Sequence, residues 1–409
     1  MKVKRVYIYY SSGEEHIFCF WNYFFKSCGI WVSEKTRDEV YNKSSLEAPI
    51  IFILGNEDIG LIWRANQGRH AYIVKKNATF NLVKSREDVV INNRGGRKNN
   101  NAEVLKLIFS GVEDVNYLQK LLDIFENYQL CGTMWLFHEF AIRDKSNLDR
   151  IIKGTVNKVI KRIEEETLLK DNWHSKFMNL YCRYMECGVK TRNLIERTFL
   201  CQELIKKCDI LAQENGWAPS LCVLSGDIHK LSSAEGKFAI HFYEHAILFE
   251  NRADILYEMG KSFEIMYGDK ARALDYYISA YFVNPFYYRA NYKIAFDEEQ
   301  QGNWKKSLKR YQEMFFWLRD RKKRISVYEI LYLYKINRRV LSLSKRYISS
   351  QTIIDFYSRE MEEFWTLLEK KECFNAVLHC MFKKDQMGEI KYILFKEIEK
   401  VIDEFYFVL

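Results

Sequence analysis

The stretch ADILYEMGKSFEIMYGDKARALDYYISAYFVNP, residues 253–285, belongs to a 34-residue repeat that recurs on both sides of it. Small, apolar and aromatic residues return at this spacing in three successive copies: Ala239, Ala273 and Ser307; Ile240, Leu274 and Leu308; Tyr243, Tyr277 and Tyr311; Ala246, Ala280 and Met314. Glycines keep the same period, in the pairs Gly226 and Gly260, and Gly268 and Gly302. This periodicity predicts helix–turn–helix units that bury their apolar faces only by stacking, with the central tyrosines between helices.

The order of glycine, alanine, tyrosine, alanine and proline in this stretch resembles the tetratricopeptide family. Weaker copies lie before it, at residues 220–251, and after it, at residues 291–315. The resemblance covers about residues 220–320 and implies a scaffold that binds a protein partner in a groove lined by the first helix of each unit. The partner-binding candidates that it implies are Tyr257, Lys261, Tyr288 and Asn291.

Helical patterns extend on both sides of the repeats. Apolar residues recur at three- and four-residue intervals in residues 118–130, 148–169 and 191–215, which is typical of amphipathic helices. The whole chain has only 3 prolines, which favours long helices. We therefore predict a helical connecting region at 102–219, tetratricopeptide repeats at 220–321 and a C-terminal helical cap at 322–409.

Residues 1–101 have a different pattern, in which short apolar runs alternate with a helical segment. The runs VYIYY (6–10), IWVS (30–33), APIIFILG (48–55) and AYIVK (71–75) are typical of strands, and residues 14–29 of a buried helix. This alternation predicts a small doubly wound α/β domain, followed by the all-α solenoid. Ligands of such sheets bind at the carboxyl ends of strands, so Tyr10, Ser11, Ser12 and Gly55 are nucleotide-binding candidates. The two serines are equally suited to cap the following helix.

The segment YIYYSSGEE, residues 7–15, resembles the first conserved box of TIR domains, and the central strand followed by Trp63 resembles their third strand and helix. Enzymatic TIR domains cleave NAD with a glutamate four residues after that tryptophan, and this chain has Gln67 there. A neutral amide cannot stabilise a ribosyl cation as a carboxylate does, so the resemblance implies a non-catalytic domain. Glu57, the nearest other carboxylate, is the candidate catalytic residue if the domain is active. Trp63 and Gln67 are further nucleotide-binding candidates, Trp63 being either a ligand contact or a core aromatic, and a flavodoxin-like domain is the alternative fold.

Composition argues against several other classes. The 10 cysteines of the 409-residue chain show no CxxC spacing, and His241 and His245 lack a third ligand at motif spacing, so we expect no metal site. The net charge of +9 includes basic runs at 94–98 and 319–324, but neither is interleaved with stacking aromatics, so we expect no nucleic-acid partner. We find no signal peptide and no run of eighteen apolar residues, and therefore expect no membrane span and a cytoplasmic location.

Two functional hypotheses follow from these resemblances. The first is a signalling or sensing interaction protein, in which a non-catalytic TIR-like domain pairs with another copy while the repeats bind a protein partner; bacterial defence signalling is the context implied by analogy. The alternative is a TIR-type NAD hydrolase that is activated by assembly through the repeats. No cofactor is expected in either case, and NAD is the substrate in the second. A third hypothesis, a nucleic-acid-bound regulator, is suggested only by the net charge of +9.

Overall fold

The chain divides into two compact units. One comprises Met1–Thr133, Asn157–Arg183 and Leu211–Ser220, and the other comprises Met134–Val156, Tyr184–Ile210 and Leu221–Leu409. Most of the described residues are helical. The computed structural model describes residues 5–10, 21–22, 24–34, 50–53, 71–74, 80–83, 109, 117, 120–121, 124, 160–167, 172–190, 194–232, 236–320 and 327–369.

A five-stranded sheet lies in the first unit. Its strands are β1 (Arg5–Tyr10), β2 (Trp31–Glu34), β3 (Ile50–Ile53), β4 (Ala71–Val74) and β5 (Phe80–Val83). The order is β2-β1-β3-β4-β5, with β1 parallel to β2 and β3, and β3 parallel to β4. Each of the four predicted runs therefore contains a strand. The sequence patterns did not predict β5, which is antiparallel to β4; only residues 75–79 separate the two, too few for the crossover that a parallel pair needs.

Aromatic side chains form the core of this unit. Trp21 stacks on Phe25 with ring centroids 5.6 Å apart, and Phe24 contacts Phe109 edge to face at 6.0 Å. In β1 the side chains of residues 6–9 are all buried, as expected for a strand covered on both faces. Residues 24–27 are helical, in agreement with the helix predicted at 14–29.

Ten α-helices, together with two short helical turns, account for most of the described part of the C-terminal two-thirds. Helices α3 to α10 form four consecutive pairs, in which each helix packs against the next along the chain from α4 onward. A π-helical turn, Phe263–Tyr267, extends α5. The helices are α1 (Trp173–Lys190), α2 (Leu194–Asn215), α3 (Pro219–Leu231), α4 (Ala239–Phe249), α5 (Ala253–Ser262), α6 (Lys270–Val283), α7 (Tyr288–Gln300), α8 (Trp304–Asp320), α9 (Val327–Tyr347) and α10 (Gln351–Glu369).

The 34-residue series lies on the second helix of each pair, α4, α6 and α8. Tyr243, Tyr277 and Tyr311 are all buried, which confirms the predicted position of Tyr277 between helices. The glycine on the first helix makes room for the ring: a Cβ added at Gly226 would lie 2.6 Å from the ring of Tyr243, and one at Gly260 would lie 2.7 Å from that of Tyr277. The repeat in the sequence is therefore a repeat of one packing contact.

Two glycines of the period form the turns inside pairs. Gly268 follows the π-helical turn with φ 65°, and Gly302 follows α7 with φ 79°, a conformation that side chains with a Cβ rarely adopt. Asp269 then caps α6, its carboxylate accepting a hydrogen bond from the backbone N–H of Arg272 at 3.0 Å. The helices thus begin and end where the period predicts.

The pairing continues past the residues where the period fades. Helices α9 and α10, in the region predicted as a cap, pack on α8 and on each other in the same order. Their buried residues include Ile336, Val340, Leu343 and Tyr357, which do not repeat the earlier series. Stacking requires an apolar face of the right shape rather than identical residues, and the sequence period therefore understates the extent of the pairing.

A candidate interaction surface on the first helices

The four predicted partner-binding residues lie on the first helices of two neighbouring pairs. Tyr257 and Lys261 are on α5, and Tyr288 and Asn291 are on α7. Tyr257 and Asn291 are buried, and the Asn291 side-chain amide donates a hydrogen bond to the carbonyl oxygen of Pro285 at 2.7 Å. Lys261 and Tyr288 are only half-buried. Of the four, therefore, these two side chains have surface left for a partner.

Tyr257 is the centre of the contact between α5 and α7. The guanidinium of Arg289 lies 4.3 Å from the centre of its ring, a distance typical of a cation–π interaction. Its ring also packs against Tyr277 at 5.4 Å and Tyr287 at 5.7 Å. Tyr257 thus stabilises the scaffold, and it sets the position of α7 beside α5.

A carboxylate between two cations joins three successive first helices. Glu258 on α5 forms ion pairs with Lys230 on α3 and with Arg289 on α7, the second at 3.5 Å. Burial alone would raise the pKa of Glu258, but the charges of Lys230 and Arg289 outweigh it and lower that pKa well below its usual range. Burial likewise acts to lower the pKa of Lys230, and the carboxylates of Glu258 and Asp227 raise it overall. Glu258 is therefore an anion at every physiological pH.

A second ion pair reinforces the same junction. The Lys293 ammonium on α7 lies 2.9 Å from the carboxylate of Glu264, in the turn after α5, and the Tyr277 hydroxyl donates to that carboxylate at 2.6 Å. The pKa of Lys293 is nonetheless lowered, because burial of its side chain outweighs the attraction of Glu264. Glu264 therefore connects a tyrosine of the second helix with a lysine of the next pair.

Similar ion pairs occur farther along the stack. Glu299 on α7 pairs with Arg339 on α9 at 3.1 Å, and Arg319 on α8 pairs with Glu360 on α10 at 2.7 Å. Each joins a helix to the equivalent helix of the next pair. Because these charges are largely buried, removing one partner would leave the other uncompensated, which makes the relative position of consecutive pairs specific.

The sequence prediction missed these ionic contacts, although the repeat contains a signal for them. Arg289 stands 34 residues after Ile255, and Lys293 stands 34 residues after Met259. Ile255 and Met259 are buried apolar residues, so a cation in register with each of them indicates a local acidic partner. The identity of that partner, Glu258 or Glu264, depends on the angle between helices and is not evident from the spacing.

The structure describes only part of the predicted nucleotide site and of the two basic runs. Tyr10 ends β1 opposite Ile53 of β3, at the carboxyl edge of the sheet where nucleotide ligands were expected. Ser11, Ser12, Gly55, Glu57, Trp63 and Gln67 lie outside the described residues. The basic run at 94–98 also lies outside them, whereas Arg319 of the second basic run is engaged by Glu360.

The described residues include no group of three or more histidine, cysteine or acidic side chains that could hold a metal ion. His241 and His245 are close, with ring centroids 4.7 Å apart on the exposed face of α4. In the same part of the chain, no helix is long and apolar enough to cross a bilayer.

No model of a protein family matches the chain, and no curated protein is found to be similar to it. Function is therefore inferred from the contacts within the stacked helical pairs.

Proposed function

We propose that the chain is a signalling or sensing interaction protein, in which tetratricopeptide-type repeats bind a protein partner through the first helices. The observation that carries this proposal is the combination of a fixed scaffold and two side chains left partly uncovered on it. Helices α5 and α7 are held by Arg289, Glu258 and Tyr257, while Lys261 and Tyr288 stay half-buried beside them.

Preorganisation supports a binding role for this surface. A surface whose helices are already fixed by buried ion pairs loses little conformational entropy when it binds a partner. Tyrosine is enriched at protein interfaces because it offers a large, rigid, amphipathic contact area. Tyr288 has this character, since its ring packs edge to face on Tyr332 at 4.9 Å while part of it stays accessible.

The N-terminal unit is proposed to be a TIR-like domain without efficient catalysis. The order β2-β1-β3-β4 with parallel pairing is that of a doubly wound sheet, which supports this class of fold. Gln67 at the position that the resemblance assigns to the catalytic glutamate argues for a role in assembly or signalling. In this proposal the domain transmits the state of the repeats through contacts with another copy.

Crosslinking from position 288, combined with reversal of a charge on α5, tests the proposal. A photo-crosslinking amino acid in place of Tyr288 should capture a partner in cells, and Lys261→Glu in the same chain should reduce that capture at least tenfold. Lys206→Glu, on the exposed face of α2, is the matched control, because it reverses the same charge away from α5 and α7. Equal capture by the three proteins, each with an unchanged circular dichroism spectrum, would show that the first helices are not the binding surface.

A further inference from the structure

Large apolar side chains are exposed at equivalent positions on the second helices of three consecutive pairs. Leu248 on α4, Phe282 on α6 and Phe316 on α8 are 83%, 76% and 42% exposed. They are spaced by the 34-residue period, and each follows the buried tyrosine of its helix by five residues. At 100° per residue this places them about 140° away from that tyrosine, on the side of the helix that faces solvent.

Neighbouring exposed residues enlarge this group, which we call the apolar stripe. Phe249 and Val283 follow the first two members in sequence and are 37% and 41% exposed, and Phe286 is 60% exposed. Phe286 stacks on Trp317 of α8 with ring centroids 5.4 Å apart. The apolar stripe therefore consists of Leu248, Phe249, Phe282, Val283, Phe286 and Phe316.

The exposed area of the apolar stripe approaches that of one side of a standard interface. With large apolar side chains of about 150–250 Å² each, these exposures leave on the order of 600 Å² of apolar surface uncovered. This area is at the upper end of the range for the largest apolar patch on a monomer. It is also most of the roughly 800 Å² that each partner contributes to a standard interface. Single exposed apolar residues are ordinary, but a periodic group of this size indicates an interface.

The charges at the two ends of the stripe favour a second copy of this chain as the partner. Helix α4 contains no lysine or arginine, and its Glu244 is exposed, whereas Lys305, Lys306 and Lys309 are exposed on α8. The exposed Glu313 lies 3.9 Å from Lys309, and the two other lysines leave this end of the stripe positive. A two-fold axis parallel to the helices reverses the order of the pairs, and it therefore brings α4 of each copy against α8 of the other. In this arrangement the apolar positions coincide, because their spacing is the same in both copies, and opposite charges meet at both ends.

A groove beside Phe282 adds complementarity of shape. It has a volume of about 290 Å³ and lies between α6, α7 and the start of α8. Leu274, Ile278 and Tyr281 line its apolar side, and the other side is polar, with Asp297, Glu298, Gln301, Asn303, Lys306 and Arg310. This volume accommodates a large side chain from the facing copy. We propose that the apolar stripe is the contact surface of a homodimer in which the two stacks run in opposite order. This surface is distinct from the first helices and from the TIR-like domain, and the inference is independent of the proposed partner binding.

Light scattering and sedimentation of the full chain over a range of concentrations test the homodimer. The wild type should dimerise, and Phe282→Glu should raise the dimer dissociation constant at least tenfold. Phe199→Glu, which alters a side chain 60% exposed on α2, should leave that constant unchanged. Glu244→Lys should weaken the dimer and a second change in the same chain, Lys309→Glu, should restore it, which a merely structural effect of either residue would not produce.

Three results would overturn the proposal. A wild type that stays monomeric at tens of micromolar would show that the apolar stripe is covered by another segment of the chain or by a different protein. A dimer that survives Phe282→Glu would place the interface elsewhere. Failure of Lys309→Glu to restore the Glu244→Lys dimer would refute the reversed order. None of these results affects capture at Tyr288, so the two proposals can fail separately.

Discussion

Removing the aromatic ring of Tyr277 tests the repeated packing contact most directly. The side chain is 3% exposed, its ring fills the space left by Gly260, and its hydroxyl donates to Glu264 at 2.6 Å. Tyr277→Ala should therefore leave a cavity between α5 and α6 and a carboxylate with one partner fewer. Tyr277→Phe keeps the ring and removes only the hydrogen bond.

The expected magnitude follows from the buried area and from the hydrogen bond. Burial of about 150–200 Å² of ring surface at about 25 cal/mol per Å² contributes roughly 4–5 kcal/mol, so Tyr277→Ala should cost about 3–5 kcal/mol. Tyr277→Phe should cost about 1–3 kcal/mol, because it removes a hydrogen bond to a carboxylate. Glu264 keeps Lys293 as a partner, which limits the cost. Ser279→Ala, on the exposed face of the same helix, should change stability by less than about 0.5 kcal/mol.

A double-mutant cycle with Gly260 identifies the contact itself. An added Cβ at Gly260 would lie 2.7 Å from the ring of Tyr277 and 2.9 Å from the carbonyl oxygen of Ala273. Gly260→Ala should be destabilising in the wild type and less so in Tyr277→Ala, where only the carbonyl contact remains. We expect a coupling of about 1–2 kcal/mol between the two substitutions.

Urea unfolding followed by far-ultraviolet circular dichroism measures these differences. The free energy of unfolding should fall in the order wild type, Tyr277→Phe, Tyr277→Ala. An unfolding curve of Tyr277→Ala that overlays that of the wild type would refute the packing argument. Strictly additive effects of Gly260→Ala and Tyr277→Ala would show that the two residues do not pack against each other.

Three further predictions concern charge, catalysis and thiol chemistry. Glu258→Gln should cost about 1–3 kcal/mol in urea unfolding near neutral pH, because it removes a carboxylate from two partly buried cations, of which Lys230 keeps Asp227. Since the folded-state pKa of Glu258 lies below the usual 4.5, this stabilisation is complete above about pH 4.5 and is lost as pH falls. The difference in free energy of unfolding between variant and wild type should therefore narrow in acid, and a constant difference would contradict the prediction. If the N-terminal segment is the TIR-like domain proposed above, the wild type should hydrolyse NAD inefficiently, because Gln67 lacks the charge of the glutamate in enzymatic TIR domains. Activity should appear in Gln67→Glu, and robust turnover by the wild type would contradict this. Burial raises the pKa of Cys182 and of Cys208 to about 12, so both thiols stay protonated near pH 8. Iodoacetamide at that pH should modify neither cysteine in the folded protein and both in urea, as measured by mass spectrometry. Rapid labelling of either cysteine in the folded protein would contradict their burial.

Local patterns in the sequence were enough to predict much of the secondary structure. A period of 34 residues predicted paired helices, and Tyr277 is buried between them as expected. Four apolar runs predicted four strands. Both predictions succeeded because they depend on residues close in sequence or at a fixed spacing. An example is the ring of Tyr277, which packs against Gly260 on the preceding helix.

The candidate site was less predictable. Tyr257 and Asn291 were expected to contact a partner, but both are buried in contacts of the scaffold itself. Helix periodicity shows which residues share a face, but it does not show how closely the next helix covers that face. The distance and angle between α5 and α7 decide this, and they depend on Arg289 and on side chains of three different helices.

By itself the sequence determined where helices and strands form and which residues repeat, because these properties arise from local propensity and the spacing of apolar residues. Only the tertiary structure showed that residues 80–83 form a fifth strand, that Glu258 joins three first helices and that Leu248, Phe282 and Phe316 share an exposed stripe. Each of these depends on which elements become neighbours. Neighbours distant in sequence are chosen by the packing of whole surfaces, whose free energy is a sum over many side chains rather than a property of any one segment.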